Sequence, residues 1–574
     1  MNKEIFKRQK AKPSLSPSQL SFRIGLARER TGNYPMDNMN FIMMDLERDE
    51  NFSRHAHWCT GDLTGRTLEF LSAADGIDGK KDDRLPEMVT RILKTQRKNG
   101  LFGKYVDKNM PAKEEDTKIL LANINKLLPG LMRYYKLKKD SKVLDAAIKM
   151  ADVILNNLPE IIVENKKFPF TFFTWIFEAF AYLYEATGDE RYLNFFESLV
   201  TDMPEIDGAH SHSFLTTIRG IQTFCILTGN KKWNDIAEKY RRKIIDEHYE
   251  MTDGNISEVF HRSFRNEVCS VGDWMCVNLN AGFLNNDDSS YEKAENILWN
   301  ALYFNQFITG GFGHRDLTAT GYSDSGVSEA WWCCTENCGT AMTEFANHVV
   351  TCDNDTININ FLIPGSYTIS TNDKKNITLH ITTTYPRDFD AHIQIENMPE
   401  DVNVKVRIPS FVKNEKIERK LLQGVTHIHV SGKLGHHIIH NEGKVALKYG
   451  PLVLSPSVYY WEDKFEDLLE GIGDLKGYIP QALPGKNCKI ICGGYDENGF
   501  LKFDSDPLPD WSYFEEGCCS RTSVDNSAVN VTLEFDDGQR RNLRFWPLCY
   551  SISNFSYYVA PILFQDLKIE PTDK

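Results

Sequence analysis

A chain of 574 residues, 41% of them hydrophobic, can bury large cores, and its length predicts two to four domains. The formal charge of −14 argues against a phosphate-binding surface. The one basic run, KEIFKRQKAK near the start, reads as a solvated arm, so nucleic acid is not an expected partner. A membrane is not expected either. The first residues lack the apolar core of a secretory signal, and FPFTFFTWIFEAFAYLY (168–184) is broken by Pro169 and Glu178 and is of marginal length for a bilayer. It reads as a buried helix. Thirteen cysteines, an odd number in a chain without an export signal, point to free or metal-bound thiols in a reducing, cytoplasmic compartment.

In chain order, residues 1–35 form the expected arm. From about residue 60 to 350 the apolar spacing is helical, and similar polar turns recur in YYKLKKDSKVLDAAIKMADVIL, LYEATGDERYLNFFESLV and TFCILTGNKKWNDIAEKY, around Asp140, Asp189 and Asn230. Each unit is about two helices long, and NNDDSSYEKAENILWNAL continues the series. Paired helices of this kind make a solenoid or a closed toroid. The toroid is favoured because the chain changes character afterwards instead of ending in a capping repeat. Beyond residue 350 the period becomes two, in TININFLI, NITLHITTTY, AHIQIEN, VNVKVRIPSF, THIHVSG, KVALKYGPLVLS and AVNVTLEFDD. The expected architecture is a helical barrel over 36–350, a β-sandwich over 351–460 and a second β-rich domain over 461–574.

The stretch EAWWCCTENCG (329–339) carries the strongest chemical signal. Adjacent cysteines such as Cys333 and Cys334 are poor disulfide partners, because one peptide unit supplies the required separation and dihedral only under strain. Two thiolates aimed at one metal ion are easier to build. Upstream, NEVCSVGDW offers Glu267 and Cys269, so Glu267, Cys269, Cys333 and Cys334 make a candidate tetrahedral Zn²⁺ set. The competing reading is of free cysteines in a helical core, where such residues are commonly buried.

Taken together, E-x-C at 267–269, WWCCTEN at 331–337, VRIPSF, YGPLVL, GDLTGRTLEFL, ATGDERYL and GAHSHSFLTTIRG resemble glycoside hydrolase family 127, the β-L-arabinofuranosidase-type enzymes, over most of the chain in order. The resemblance implies an (α/α)6 barrel followed by β-sandwiches, and a retaining exo-glycosidase acting on a β-L-arabinofuranoside or a related sugar. It implies Zn²⁺ as cofactor, Cys333 as a metal-bound nucleophile, Glu267, Cys269 and Cys334 as companion ligands, and Glu258 in ISEVF as general acid/base. Glu329 and Glu336 are the alternatives for that last role. The early-helix histidines that bind sugar in the better-known branch have no match in KEEDTKILLANINKLL or FTFFTWIFEAF, which leaves His210 and His212 of AHSH as the histidine-rich sugar site.

Trp331 and Trp332 could stack on a sugar face or simply pack in the barrel, and His57, Trp58 and Asp62 of HAHWCTGD could line the same pocket. His427, His429, His436, His437 and His440 crowd the β region, where solvation on a sandwich surface is the usual fate of histidine; a second metal there is the alternative. Cys518 and Cys519 form another CC pair without an E-x-C partner. GYSDSG is one residue too long for a G-x-S-x-G elbow, and GGFGHRD lacks the third glycine of a dinucleotide loop. Two rival functions remain: a glycan lyase or sugar epimerase on the same toroid with a structural zinc, and a non-catalytic carbohydrate-binding protein. The β-rich half could bind glycan, brace the barrel or build a homo-oligomer.

Overall fold

The computed structural model describes residues 5–47, 60–103, 120, 126–164, 170–261, 265–318, 321–322, 328–441, 443–456, 488–503, 527–550 and 563–570. Its helices are α1 (Gln19–Thr31), α2 (Met39–Glu47), α3 (Asp62–Asp78), α4 (Arg84–Lys94), α5 (Leu128–Lys138), α6 (Ser141–Glu164) and α7 (Phe170–Thr174). They continue with α8 (Phe177–Thr187), α9 (Glu190–Leu199), α10 (Ser211–Thr228), α11 (Lys231–Asp246), α12 (Val268–Asn285), α13 (Asp288–Ile297) and α14 (Cys334–Asn347).

The helices α3, α5, α8, α10, α12 and α14 contact one another in that order, and α14 returns to α3, which closes a ring. Outside it, α4, α6, α9, α11, α13 and α1 each back one inner helix. This is an (α/α)6 barrel. The two layers follow from the residues. Helix α12 is buried from Val268 to Phe283, whereas α11 buries only Trp233, Ala237, Tyr240, Arg241 and Ile244 along one stripe. The recurring polar turns are helix starts: the side chains of Asp189, Asn230 and Asp287 accept hydrogen bonds from the backbone N–H of Arg191, Lys232 and Ser289.

Two sheets follow. Strands β1 (Phe6–Lys10), β7 (Val350–Asn354), β8 (Thr356–Ile359) and β12 (Asn403–Val406) form one of them. The other runs in the order β13 (Lys413–Leu422), β14 (Val425–Lys433), β11 (Phe389–Glu396), β10 (Asn376–Thr383), β9 (Gly365–Ser370), β2 (Lys12–Leu15). Their buried faces share one apolar core with the barrel. A seven-stranded sheet in the order β15 (His436–Asn441), β16 (Lys444–Tyr449), β17 (Leu452–Pro456), β20 (Arg540–Pro547), β19 (Val529–Phe535), β18 (Cys488–Cys492), β21 (Asp566–Ile569) has its own core around Leu447, Ile490, Val531 and Phe545. A small sheet of β3 (Arg265–Glu267), β4 (Gly313–Thr318), β5 (Gly321–Tyr322) and β6 (Ser328–Glu329) lies within the helical region.

The start of the chain is not a solvated arm. Phe6 is fully buried, β1 pairs with β7, β2 pairs with β9, and α1 supplies the outer partner of α14. Phe6, the one apolar residue of β1, enters the core with Ala11 just after the strand, while Lys7 and Arg8 stay exposed and Lys10 pairs with Glu344. The stretch expected as a buried helix is helical as α7 and α8, split at Trp175–Ile176; its first two residues lie outside the described residues. Among the described residues, no helix is long and apolar enough to cross a membrane.

Gly65 and Gly130 let α3 and α5 cross closely. A Cβ on Gly65 would stand 2.5 Å from the backbone carbon and oxygen of Lys126, and one on Gly130 would stand 2.4 Å from the carbonyl oxygen of Gly65. Backbone cannot swing aside as a side chain can. Gly65→Ala is therefore expected to destabilise the protein by about 3 kcal/mol, the upper range of overpacking costs, and a denaturant titration checks it. An unchanged midpoint would show that the crossing is looser than these distances.

Candidate active site

The inner helices α3, α10, α12 and α14 bring their N-terminal ends together, and the chemically distinctive residues sit there. His210 is the N-cap of α10, Glu267 of α12 and Cys333 of α14, while Asp62 opens α3. The N-terminal end of a helix carries partial positive charge and favours anions, including thiolates. Strand β3 sets Glu267 opposite His314 on β4, and β4 in turn pairs with β6, which leads into Trp331–Cys334. Asn266 locks β3 by donating to Asn255 and Asn305 and accepting from the N–H of Arg315. The starts of α10 and α12 are joined by a 2.6 Å hydrogen bond between Ser211 and Ser270. Asn337 on α14 donates to the carbonyl of Cys269.

Within this frame Cys269 Sγ lies 3.3 Å from Cys333 Sγ and 3.5 Å from Cys334 Sγ, and the two neighbouring thiols are 3.8 Å apart. Cys333 Sγ is 3.5 Å from Glu267 Oε1. All four residues are buried, and the three cysteines are free thiols. One donor atom from each lies within 4.8 Å of the others. A tetrahedral zinc with Zn–S bonds of about 2.3 Å has S···S edges of about 3.8 Å. The observed spacings are that cage slightly contracted, so the donor set fits zinc.

The electrostatics agree. Hydrogen bonds from the Cys269 and Cys334 thiols pull Cys333 well below the ordinary thiol range against its burial, and Arg66 adds to the effect. Burial pushes Cys269 and Cys334 well above that range. Glu267 is held well below the usual carboxylate range because His210, His212 and His314 outweigh its burial. A thiolate 3.5 Å from a carboxylate oxygen is a repulsive contact that a cation between them relieves. Three thiolates and a carboxylate around a divalent ion leave two negative charges. Arg66 answers them as a cation, and His210, whose imidazole is raised above its ordinary value by Glu267, Glu258 and Cys333 against the effect of burial, stands beside Glu267.

Comparison with known proteins agrees with this geometry. The family model described as β-L-arabinofuranosidase, GH127 catalytic domain, matches residues 33–347, more than half of the chain. This chain belongs to family GH127. It is a glycoside hydrolase. A solved GH127 β-arabinofuranosidase shares its fold at TM-score 0.65 and 16% identity, over 99% of this chain and 100% of that one. The GH127 β-L-arabinofuranosidase from Geobacillus stearothermophilus T6 does so at TM-score 0.66 and 13% identity, over 96% and 100%. A protein described as a glycoside hydrolase matches at TM-score 0.66 and 12% identity, over 99% and 98%. At these identities the likeness concerns the fold. None of the curated proteins compared matches the chain.

Around the four-donor cage of this GH127 chain, His210 Nε2 stands 2.9 Å from Glu267 Oε2, and the carboxylate of Glu258 lies within 4.8 Å of both groups. Glu258 is fixed by its backbone, which accepts from Ser211 N–H and donates to the carbonyl of Arg265, and its carboxylate receives two 2.8 Å hydrogen bonds from the Arg265 guanidinium. The alternatives for its role are placed otherwise. Glu329 is paired with Arg30 at 2.5 Å and accepts from Thr309. Glu336 is buried with no hydrogen-bond partner for either oxygen among the described residues; burial, with Cys333 and Asp62, raises it well above the carboxylate range.

His212 and Asp62, expected to face sugar, are engaged inside the protein. His212 is fully buried, its Nδ1 bonded to Asp273 and its ring edge-on to Trp175 at 4.8 Å. Its histidine-rich motif straddles a helix start, so His210 stays at the rim while His212 turns inward. Asp62 accepts from Arg66 Nε at 3.0 Å, one helical turn on, and both are buried. Trp331 and Trp332 are half-buried and meet edge-on at 4.9 Å, with Trp331 also against Phe41 of α2. His57, Trp58, Cys518 and Cys519 lie outside the described residues.

Arg66, Asp273 and Arg265 escaped the sequence reading. Asp273 is a hub, bound by His212, by Arg219 at 2.7 Å and by Asn337 at 3.4 Å; against its burial, His212, Arg219 and Lys126 hold it far below the carboxylate range. The only signal for Arg66 was its position four residues after Asp62 in GDLTGR, a spacing common on any helix.

Proposed function

We propose that this GH127 chain is a zinc-dependent retaining exo-glycosidase that hydrolyses a β-L-arabinofuranoside or a related sugar, with Cys333 as nucleophile and Glu258 as acid/base. The observation that carries the reading is the position of Cys333 Sγ: inside a four-donor cage and 3.5 Å from Glu267, the residue that also belongs to the group of Glu258 and His210. Glu267, Cys269, Cys333 and Cys334 would hold the zinc, whose bound state keeps the thiols deprotonated without a base.

The steps of the chain's own residues follow. The sulfur of Cys333 forms a bond to the anomeric carbon as the bond from that carbon to the leaving oxygen breaks, and Glu258 gives its proton to that oxygen. Glu258 then takes a proton from water, whose oxygen displaces sulfur from the anomeric carbon and returns the thiolate. Two inversions give retention. His210 holds Glu267 in place, and Arg66, positioned by Asp62, offsets the negative charge of the cage. His210, Trp331 and Trp332 supply the polar and aromatic faces for sugar, and His212 stands behind them, fixed by Asp273.

The burial of all four donors also favours a second reading, in which the zinc is structural and other groups do the chemistry. The first experiment is release of L-arabinose from an aryl β-L-arabinofuranoside by zinc-replete protein, followed by NMR at the anomeric carbon. The expected result is release with the β configuration in the first-formed sugar. No release by protein shown to hold zinc would remove this sugar from the assignment.

A further inference from the structure

The exposed face of the six-stranded sheet carries a second group of metal-ligand residues, unrelated to the barrel cage. On β11, Asp390 and His392 are two residues apart and share that face. On the neighbouring antiparallel strand β14, His429 lies directly opposite His392. The two imidazoles stack with centroids 4.4 Å apart and planes 8° from parallel. His429 Nε2 is 2.9 Å from one oxygen of Asp390, and His392 Nε2 is 3.7 Å from the other. The three donor atoms lie within 4.8 Å of one another.

We propose that Asp390, His392 and His429 form a second site for a zinc-class divalent ion. Two imidazoles and one carboxylate select a borderline transition ion such as Zn²⁺, Cu²⁺ or Ni²⁺ over Mg²⁺ and Ca²⁺, which need mainly oxygen donors. Tetrahedral zinc with Zn–N bonds of about 2.0 Å needs donor separations of about 3.3 Å, so the side chains have only to draw slightly inward. They are free to do so. His392 is exposed, and Asp390 and His429 are partly so. Glu418 on β13 is the residue opposite His429 on its other side and adds negative charge along the same row. Three protein donors leave a coordination position for water or an anion. The ion clamps β11 to its neighbour β14. His427, two residues before His429 on the same face, pairs with Gln394 and lies outside the group.

The test is a metal count on the full-length protein, stripped with chelator, reloaded at micromolar free Zn²⁺ and freed of excess. His392→Ala/His429→Ala is expected to hold one zinc per chain fewer than the parent, with hydrolytic activity unchanged. His427→Ala is expected to hold as many as the parent. Equal counts in the parent and the double variant would overturn the proposal. So would an equal loss in His427→Ala, which would show adsorption to a histidine-rich face. Asp390→Asn, which keeps the shape of the side chain, should lose the same ion if the double variant does so by losing ligands and not by local unfolding.

Discussion

Replacing Cys333 by alanine is expected to lower kcat by roughly 10⁴-fold or more, the usual consequence of deleting a nucleophile, while the barrel stays folded. The expectation rests on the separate places of the three sulfurs. Cys269 is in the first turn of α12 and Cys334 in that of α14, so each is held by a helix. Cys333 is one residue earlier, at the N-cap, in the cage whose Glu267 also belongs to the group of Glu258 and His210. Its loss leaves Glu267, Cys269 and Cys334 as zinc donors, enough to keep an ion with water in the fourth position. Cys334→Ala makes the contrast: it keeps the nucleophile and weakens the cage, so part of its activity should return with added zinc. Turnover, zinc content and melting temperature measured on both variants decide the matter. If Cys333→Ala melts far below the parent yet keeps substantial turnover, the cage is structural and the nucleophile lies elsewhere.

The features legible in the sequence were those with a local cause. The barrel announces itself by its helical apolar spacing, and Asp189 and Asn230 mark helix starts because a short polar side chain satisfies a free N–H there. The four cage donors stood out because adjacent cysteines and an E-x-C step have few other uses. What stayed hidden depends on pairing between distant segments. KPSL (12–15), within the expected arm, carries a proline, yet it is the edge strand beside β9, where a missing N–H is tolerated. Helix α1 completes the barrel only by meeting α14, more than three hundred residues later. Asp273 looks like any helical aspartate until His212, Arg219 and Asn337 converge on it. The histidines of THIHV looked like surface residues because nothing local connects His429 with Asp390 and His392; the register of β11 against β14 does so.

Glu258→Gln is expected to cut kcat/KM by roughly 10²- to 10⁴-fold on a glycoside with a poor, alkoxide-like leaving group. Much less is lost in the first step with a dinitrophenyl leaving group, which departs without a proton. Small anions such as azide should then restore part of the turnover by replacing the water that Glu258 no longer activates. The two 2.8 Å hydrogen bonds from Arg265 hold the Glu258 carboxylate in one orientation. Arg265 is nearly half exposed at its side chain, so the arriving sugar can displace it. Full turnover of Glu258→Gln on the poor leaving group would sink the assignment. Glu329 would not replace it without giving up its 2.5 Å pair with Arg30, and Glu336 is sealed from the sugar by its burial. An active Glu258→Gln enzyme would thus point to a proton donor other than these three glutamates.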